Sequence, residues 1–196
     1  MSEKYKFDTM SLHSGHVPDK ETGSRAVPIY QTTSYVFKDT DEAAALYNME
    51  VGGHLYTRIS NPTIATLEQR LASLDGGVSC VACSSGMAAM HLVVTAICSS
   101  GDHIVASNKM YGANINLLQH TMTRFGIETA FVNPNNLEEI EKAIKPNTKL
   151  VFGEVIGNPG LDVMNVPEVA KICKKKNVPL AIDATFNTPY LMKPIT

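Results

Sequence analysis

Residues 148–185 read TKLVFGEVIGNPGLDVMNVPEVAKICKKKNVPLAIDAT, and their pattern decides the fold. KLVFGEV (149–155) and PLAIDAT (179–185) are short apolar runs of strand length. VPEVAKICKKK (166–176) between them repeats apolar residues at helical spacing, with Val166, Val169, Ala170 and Cys173 predicted inward. Its closing lysines suit the negative end of a helix dipole. Strand, helix and strand in this order make a parallel crossover unit.

The same alternation extends toward the N-terminus. VSCVACSS (78–85), HIVAS (103–107) and ETAFVN (128–133) read as strands, the first of them buried. MAAMHLVVTAICSS (87–100) is apolar nearly all round and is therefore expected to be a buried helix. YGANINLLQHTMTRFG (111–126) is a helix ending at Gly126, and Asn136 caps LEEIEKAI with Leu137, Ile140 and Ile144 on one face. Further back, Asn61-Pro62 is an N-cap followed by a proline in the first turn. Ile64, Leu67, Leu71 and Leu74 then form one apolar stripe, stopped by Gly76-Gly77. Five strands separated by helices predict an α/β domain over 60–196, its parallel sheet covered on both faces. Residues 1–59 show no sustained period and read as an arm, either mobile or packed on something outside that core.

Composition removes several functions. Seventeen basic against nineteen acidic residues give a net charge of −2, which is no footprint for nucleic acid or a membrane surface. The longest apolar region, Gly86 to Cys98, is broken by His91 and Thr95, and is too short for a membrane span. The opening MSEKYKFDTMSLHSGH has no apolar secretory core, so a cytoplasmic location is expected. Cys80, Cys83, Cys98 and Cys173 lack the spacing of a zinc site and are expected to be buried, inert thiols; no metal is expected. Six histidines form neither a zinc motif nor a catalytic triad.

An open parallel sheet binds ligands beyond the carboxyl ends of its strands. The residues there are Ser84 to Met87, Asn108 to Tyr111, Glu154 to Asn158, and Asp183 to Thr185. Ser85-Gly86-Met87 turns a strand into a helix, and free N–H groups at such a turn can cradle a phosphate. Neither a dinucleotide fingerprint nor a Walker motif is present, which disfavours a nucleotide-binding module. Asp183 closes an apolar strand, where a carboxylate needs either a capping role or a cationic partner such as a ring nitrogen. Tyr111 could stack on that ring or merely flank a helix. Tyr56 and Arg58 offer donors for a phosphate, but spacing alone favours reading them as a surface pair.

Taken together, LYTRISNPTIATLEQRLASLDGG, CSSGMAAM, NKMYGAN, GEVIGNPGLDV and PLAIDATFNTPYLMKPI resemble the Cys/Met-metabolism family of pyridoxal-phosphate enzymes, in the family's order and over essentially the whole chain. The resemblance implies a transferase of fold type I with pyridoxal 5′-phosphate as cofactor. Gly86 and Met87, beside Ser85, match its phosphate donors. Tyr56 and Arg58 match a pair that reaches the phosphate of a neighbouring subunit, which implies a homo-oligomer, a dimer of dimers, and makes 1–59 an intersubunit arm. Tyr111 matches the stacking tyrosine, credited with proton handling. Asp183 matches the carboxylate at the ring nitrogen, with Thr185 beside it. Asn158 matches the asparagine near the cofactor O3′ and substrate carboxylate. Glu154 matches a strand-end glutamate of structural role.

The family carries out trans-sulfuration in methionine and other amino-acid metabolism. Residues 154–160, EVIGNPG, resemble the sulfhydrylase version, whereas the lyases usually carry another proline before Asn-Pro. The expected reaction is γ-replacement, O-acetylhomoserine with sulfide or methanethiol giving homocysteine or methionine. Methionine γ-lyase and cystathionine γ-synthase or γ-lyase are the alternatives; an alternative of another class is a non-catalytic fragment serving as oligomer partner. Ala184 departs from the asparagine usual there. The resemblance places the Schiff-base lysine roughly fifteen residues past Lys193-Pro194-Ile195, in a Ser-x-Thr-Lys-like context. Lys193 is no substitute for it. The chain is thus expected to be an amino-terminal half with a partial cofactor-binding domain, truncated before that lysine, lacking the domain with the substrate-carboxylate arginine, and inactive alone.

Overall fold

The computed structural model describes residues 5–196. They fall into two compact units, one running through Ala82 and including Ile195–Thr196, the other Cys83–Pro194.

The second unit is built on a four-stranded parallel sheet. Its strands are β1 (His103–Ser107), β2 (Glu128–Val132), β3 (Thr148–Glu154) and β4 (Leu180–Asp183), in the order β2-β1-β3-β4. Around it run α4 (Gly86–Ile97), α5 (Gly112–Asn116), α6 (Leu137–Ala143), α7 (Val166–Lys176) and α8 (Thr188–Leu191). Side chains alternate across the strands and separate two cores. Ile104, Ala106, Leu150 and Phe152 face Met90, Val94, Leu118 and Met122. Val105 and Val151 face Ile140, Val166, Val169 and Cys173. Helices therefore cover both faces, as expected.

Chain order reverses about β1: β2 lies on one side of it and β3 on the other. The carboxyl ends of β1 and β3 consequently diverge into helices on opposite faces, and a crevice opens between them. The parallel register sets Glu154 directly beside Asp183, so two carboxylates end neighbouring strands at the same level.

Several expectations are corrected. Residues 78–85 form no strand, so the sheet has four strands, not five; Val78 and Val81 are exposed. A strand needs a ladder partner for its backbone, and among the described residues this segment has none. The Cys80-x-x-Cys83 pair on it is not buried: Cys83 is exposed and Cys80 intermediate. Cys98 and Cys173 are buried, and burial pushes both thiols up to about 11, which leaves them inert. Helix α4 buries one side only, through Met90 and Val94, while Leu92 and Ile97 are exposed. Ala170 faces solvent; α7 has its inward face at Val166, Val169 and Cys173. The helix after Tyr111 passes into a π-helical stretch, Leu117–Met122, which places Leu118 and Met122 in the core.

The first unit contains α1 (Phe7–His13), α2 (Thr40–Tyr47) and α3 (Pro62–Asp75). The first two lie where no period was legible. Asn61 caps α3 by accepting from the Thr63 N–H at 2.9 Å, and Gly76, at φ 78°, ends it in the left-handed conformation. Asn61 also donates to the Tyr30 carbonyl at 2.9 Å, Thr63 donates to the Pro28 carbonyl at 2.8 Å, and Arg70 donates to the Ser14 carbonyl at 2.9 Å. These bonds tie parts of the leading segment to α3. Only Leu74 of its predicted stripe is buried; Ile64, Leu67 and Leu71 remain exposed.

One buried titratable group makes stability depend on pH. His103 is 1% exposed; its Nδ1 bonds Thr148 Oγ1 at 2.8 Å, and its Nε2 is buried without a partner. Burial, aided by the Lys145 charge, holds its pKa below the ordinary 6.5. A lowered histidine pKa means that the unfolded chain binds the proton more readily. Stability contributed by neutral His103 is complete above about pH 6.5 and is lost as pH falls below it. Thermal melts from about pH 7 to 5 should therefore show a shallower loss in His103→Asn than in the parent. Equal slopes would remove His103 as the cause.

Candidate functional site

Beyond the strand ends of the second unit lies a cleft of about 330 Å³, within the range of small-molecule sites. Each wall comes from a different local device. Ser85 caps α4: its side chain accepts from the Ala88 N–H at 3.1 Å. Helix geometry leaves the N–H groups of Gly86 and Met87 with no intrahelical acceptor, and both residues line the cleft. Gly86 is not held there by backbone strain or by packing, since a Cβ on it would meet nothing within 4 Å. The open space at this glycine and the unspent N–H groups fit an anionic group.

The opposite chemistry sits at β4. Asp183 Oδ1 accepts from the Thr185 N–H at 2.9 Å and from the Thr185 hydroxyl. Its other oxygen has no partner among the described residues. Asp183 and Thr185 both line the cleft. Thr185 thus orients the carboxylate, which stays available to a cation. Tyr111, at the start of α5, contributes a half-exposed ring to the lining, and Asn158 lines it from the loop after β3. An anion-binding turn, a free carboxylate oxygen and an aromatic ring on one cavity fit a flat cationic heterocycle with an anionic tail.

Glu154, 7% exposed, also lines the cleft. Its Oε1 accepts from the Tyr111 N–H at 2.8 Å and from Asn114 Nδ2 at 3.2 Å. Burial pushes its pKa above the usual carboxylate value against these bonds, and the neighbouring Asp183 charge adds to the rise.

Seven of the nine expected binding residues meet in this cleft: Ser85, Gly86, Met87, Tyr111, Asn158, Asp183 and Thr185. Tyr56 and Arg58 do not line it. They belong to the first unit, both exposed, with the guanidinium 5.4 Å from the tyrosine ring centroid. Sequence reasoning missed Asn114 and Phe186 as lining residues, while Ile156 falls inside the Glu154 to Asn158 stretch it placed at the strand ends. Asn114 was findable as one helical turn beyond Tyr111. No signal marked Phe186. Among the described residues no cluster could hold a metal, and no helix is long and apolar enough to cross a membrane.

Fold and cleft together define an open parallel α/β protein whose strand-end cleft fits a small ligand with separated charges. The Cys/Met metabolism PLP-dependent enzyme family matches residues 8–196, and the chain belongs to it. An O-acetyl-L-homoserine sulfhydrylase of Leptospira meyeri is 45% identical over 195 residues, 100% of this chain and 44% of the relative. An L-methionine gamma-lyase of Fusobacterium nucleatum subsp. polymorphum is 36% identical over 195 residues, 99% of this chain and 49% of the relative. The crystal structure of a protein assigned as an O-acetylhomoserine (thiol)-lyase from Campylobacter jejuni superimposes with a TM-score of 0.94 at 38% identity. It is covered to 47% by 97% of this chain, and it carries a pyridoxyl-lysine phosphate. The chain spans about half the length of the curated relatives it matches.

Proposed function

We propose that this chain supplies the phosphate- and ring-holding half of a cytoplasmic, homo-oligomeric enzyme that carries out γ-replacement. Its substrates are O-acetylhomoserine and sulfide or methanethiol, and its products homocysteine or methionine. One observation carries the reading: the free N–H turn at Gly86-Met87 and the free oxygen of Asp183 open on the same cleft. The higher identity to the sulfhydrylase than to the methionine γ-lyase favours replacement over elimination.

Bound pyridoxal phosphate supplies an electron sink for bonds at the substrate α- and β-carbons. The residues of this chain do the rest of the holding. Gly86 and Met87 donate backbone N–H bonds to the phosphate, and the α4 dipole favours its charge. Asp183 keeps a proton on the ring nitrogen, and Thr185 keeps Asp183 in place. Tyr111 stacks on the ring and brings its hydroxyl to the proton transfers near the substrate. Asn158 orients the O3′ side and the substrate carboxylate. Tyr56 and Arg58, already stacked on each other, reach the phosphate of a neighbouring subunit.

Thermal shifts of the chain with pyridoxal phosphate, NAD and ATP test the cofactor assignment. Stabilisation by pyridoxal phosphate alone is expected, and stabilisation by NAD or ATP instead would overturn it. For the substrate, homocysteine formation from O-acetylhomoserine and sulfide is compared with keto-acid release from methionine, in the protein that contains this chain. Faster keto-acid release would replace the sulfhydrylase reading with the γ-lyase one.

A further inference from the structure

Glu154 ends β3, beside the chain reversal at β1, and its side chain reaches across to the segment that follows β1. Its Oε1 holds the Tyr111 N–H and the Asn114 side chain, both past β1. Its own backbone closes β3, and the loop that follows carries Asn158 into the cleft lining. The same loops approach at a second point, where a Cβ on Gly157 would collide with the Lys109 carbonyl. A carboxylate is an acceptor only, and two oxygens satisfy several donors from one buried point. Asn114, 3% exposed, donates its buried side-chain amide to Glu154.

We propose that Glu154 is a positioning residue: it braces the loop carrying Tyr111 against the loop carrying Asn158 and so sets the width of the cleft for the ring between them. This rests on the cofactor reading above for the identity of the ring, and on the hydrogen bonds alone for the brace. What matters is the reach of the side chain to Tyr111, more than its charge. Glutamine keeps that reach and an accepting oxygen, aspartate keeps the charge but is one methylene short, and alanine loses both.

Amide hydrogen exchange of the ligand-free chain reads the brace directly. In Glu154→Ala, the Tyr111 amide should exchange about tenfold faster while those of β1 and β3 hold their protection. Glu154→Asp should show the same pattern, and it takes the place of the alanine variant if that one does not fold. Glu154→Gln should keep Tyr111 protected. Titration with pyridoxal phosphate should show about a tenfold loss of affinity in Glu154→Ala and Glu154→Asp, and recovery to within about threefold in Glu154→Gln. Combined with Tyr111→Ala, the Glu154→Ala loss should be less than additive, because both act through one ring. Uniform acceleration of all amides, or strict additivity with Tyr111→Ala, would reduce Glu154 to a general contributor to stability and overturn the brace. If the parent chain does not bind pyridoxal phosphate, the cofactor reading fails, and the exchange pattern alone decides the brace.

Discussion

Asp183→Asn should lower the affinity for pyridoxal phosphate by roughly ten- to a hundredfold, with the melting temperature little changed. The substituted side chain keeps an oxygen where Asp183 Oδ1 accepts from the Thr185 N–H and hydroxyl. The local turn therefore survives. What disappears is the negative charge facing the ring nitrogen. A hydrogen bond to a charged group is worth about 1.5–3 kcal/mol, which is a factor of roughly ten to a hundred in affinity. The effect should concentrate on ligands with a basic ring nitrogen. Inorganic phosphate, which needs only the Gly86-Met87 turn, should bind the variant and the parent alike. Absorbance titration with pyridoxal phosphate beside phosphate competition measures both. Undiminished affinity in Asp183→Asn would remove the aspartate from the binding site and with it the charge-separated ligand.

The second large effect concerns the core. Ile104→Ala should destabilise the chain by about 2–5 kcal/mol, read as a lower urea midpoint at unchanged slope. Ile104 is fully buried in β1, which is flanked by β2 and β3 and lies against α4 and the π-helical stretch. Neighbours on a central strand cannot collapse far into the hole, so the cavity adds to the lost transfer energy. Leu92→Ala is the contrast. Leu92 is 51% exposed on α4, and its truncation should stay within about 0.5 kcal/mol. A large loss at Leu92 would show that the outer face of α4 is covered in the folded chain, as its composition first suggested.

Much of the site was legible because open parallel sheets put their ligands at strand ends, and strand ends can be read from apolar runs. That logic selected Ser85, Tyr111, Asn158 and Asp183 before any coordinates. It did not reveal what Glu154 does. Its neighbours in the hydrogen-bond network are 40 and 43 positions away, and nothing local distinguishes a bracing glutamate from one that caps a strand. The assignment of Thr185 to the cofactor is refined in the same way. Its hydroxyl meets Asp183 two residues back, a short-range contact that the resemblance alone did not specify.

The errors have one source. Residues 78–85 have the composition of a strand, and α4 that of an all-round buried helix, yet the first joins no strand ladder among the described residues and the second buries one side. Composition states what a segment can bury or pair; it does not supply the partner.

The sequence by itself determined the features whose partners lie within a turn or two: the caps at Asn61, Ser85 and Asn136, the left-handed stop at Gly76, and the strand and helix periods from His103 to Asp183. Such groups are satisfied by residues two to four positions away, so local chemistry suffices. Tertiary structure alone decided the strand order, the placing of Glu154 beside Asp183, and which apolar faces met a neighbour. Those outcomes depend on backbone ladders and buried surfaces contributed by segments tens of residues apart, and no single segment carries the information of what it will meet.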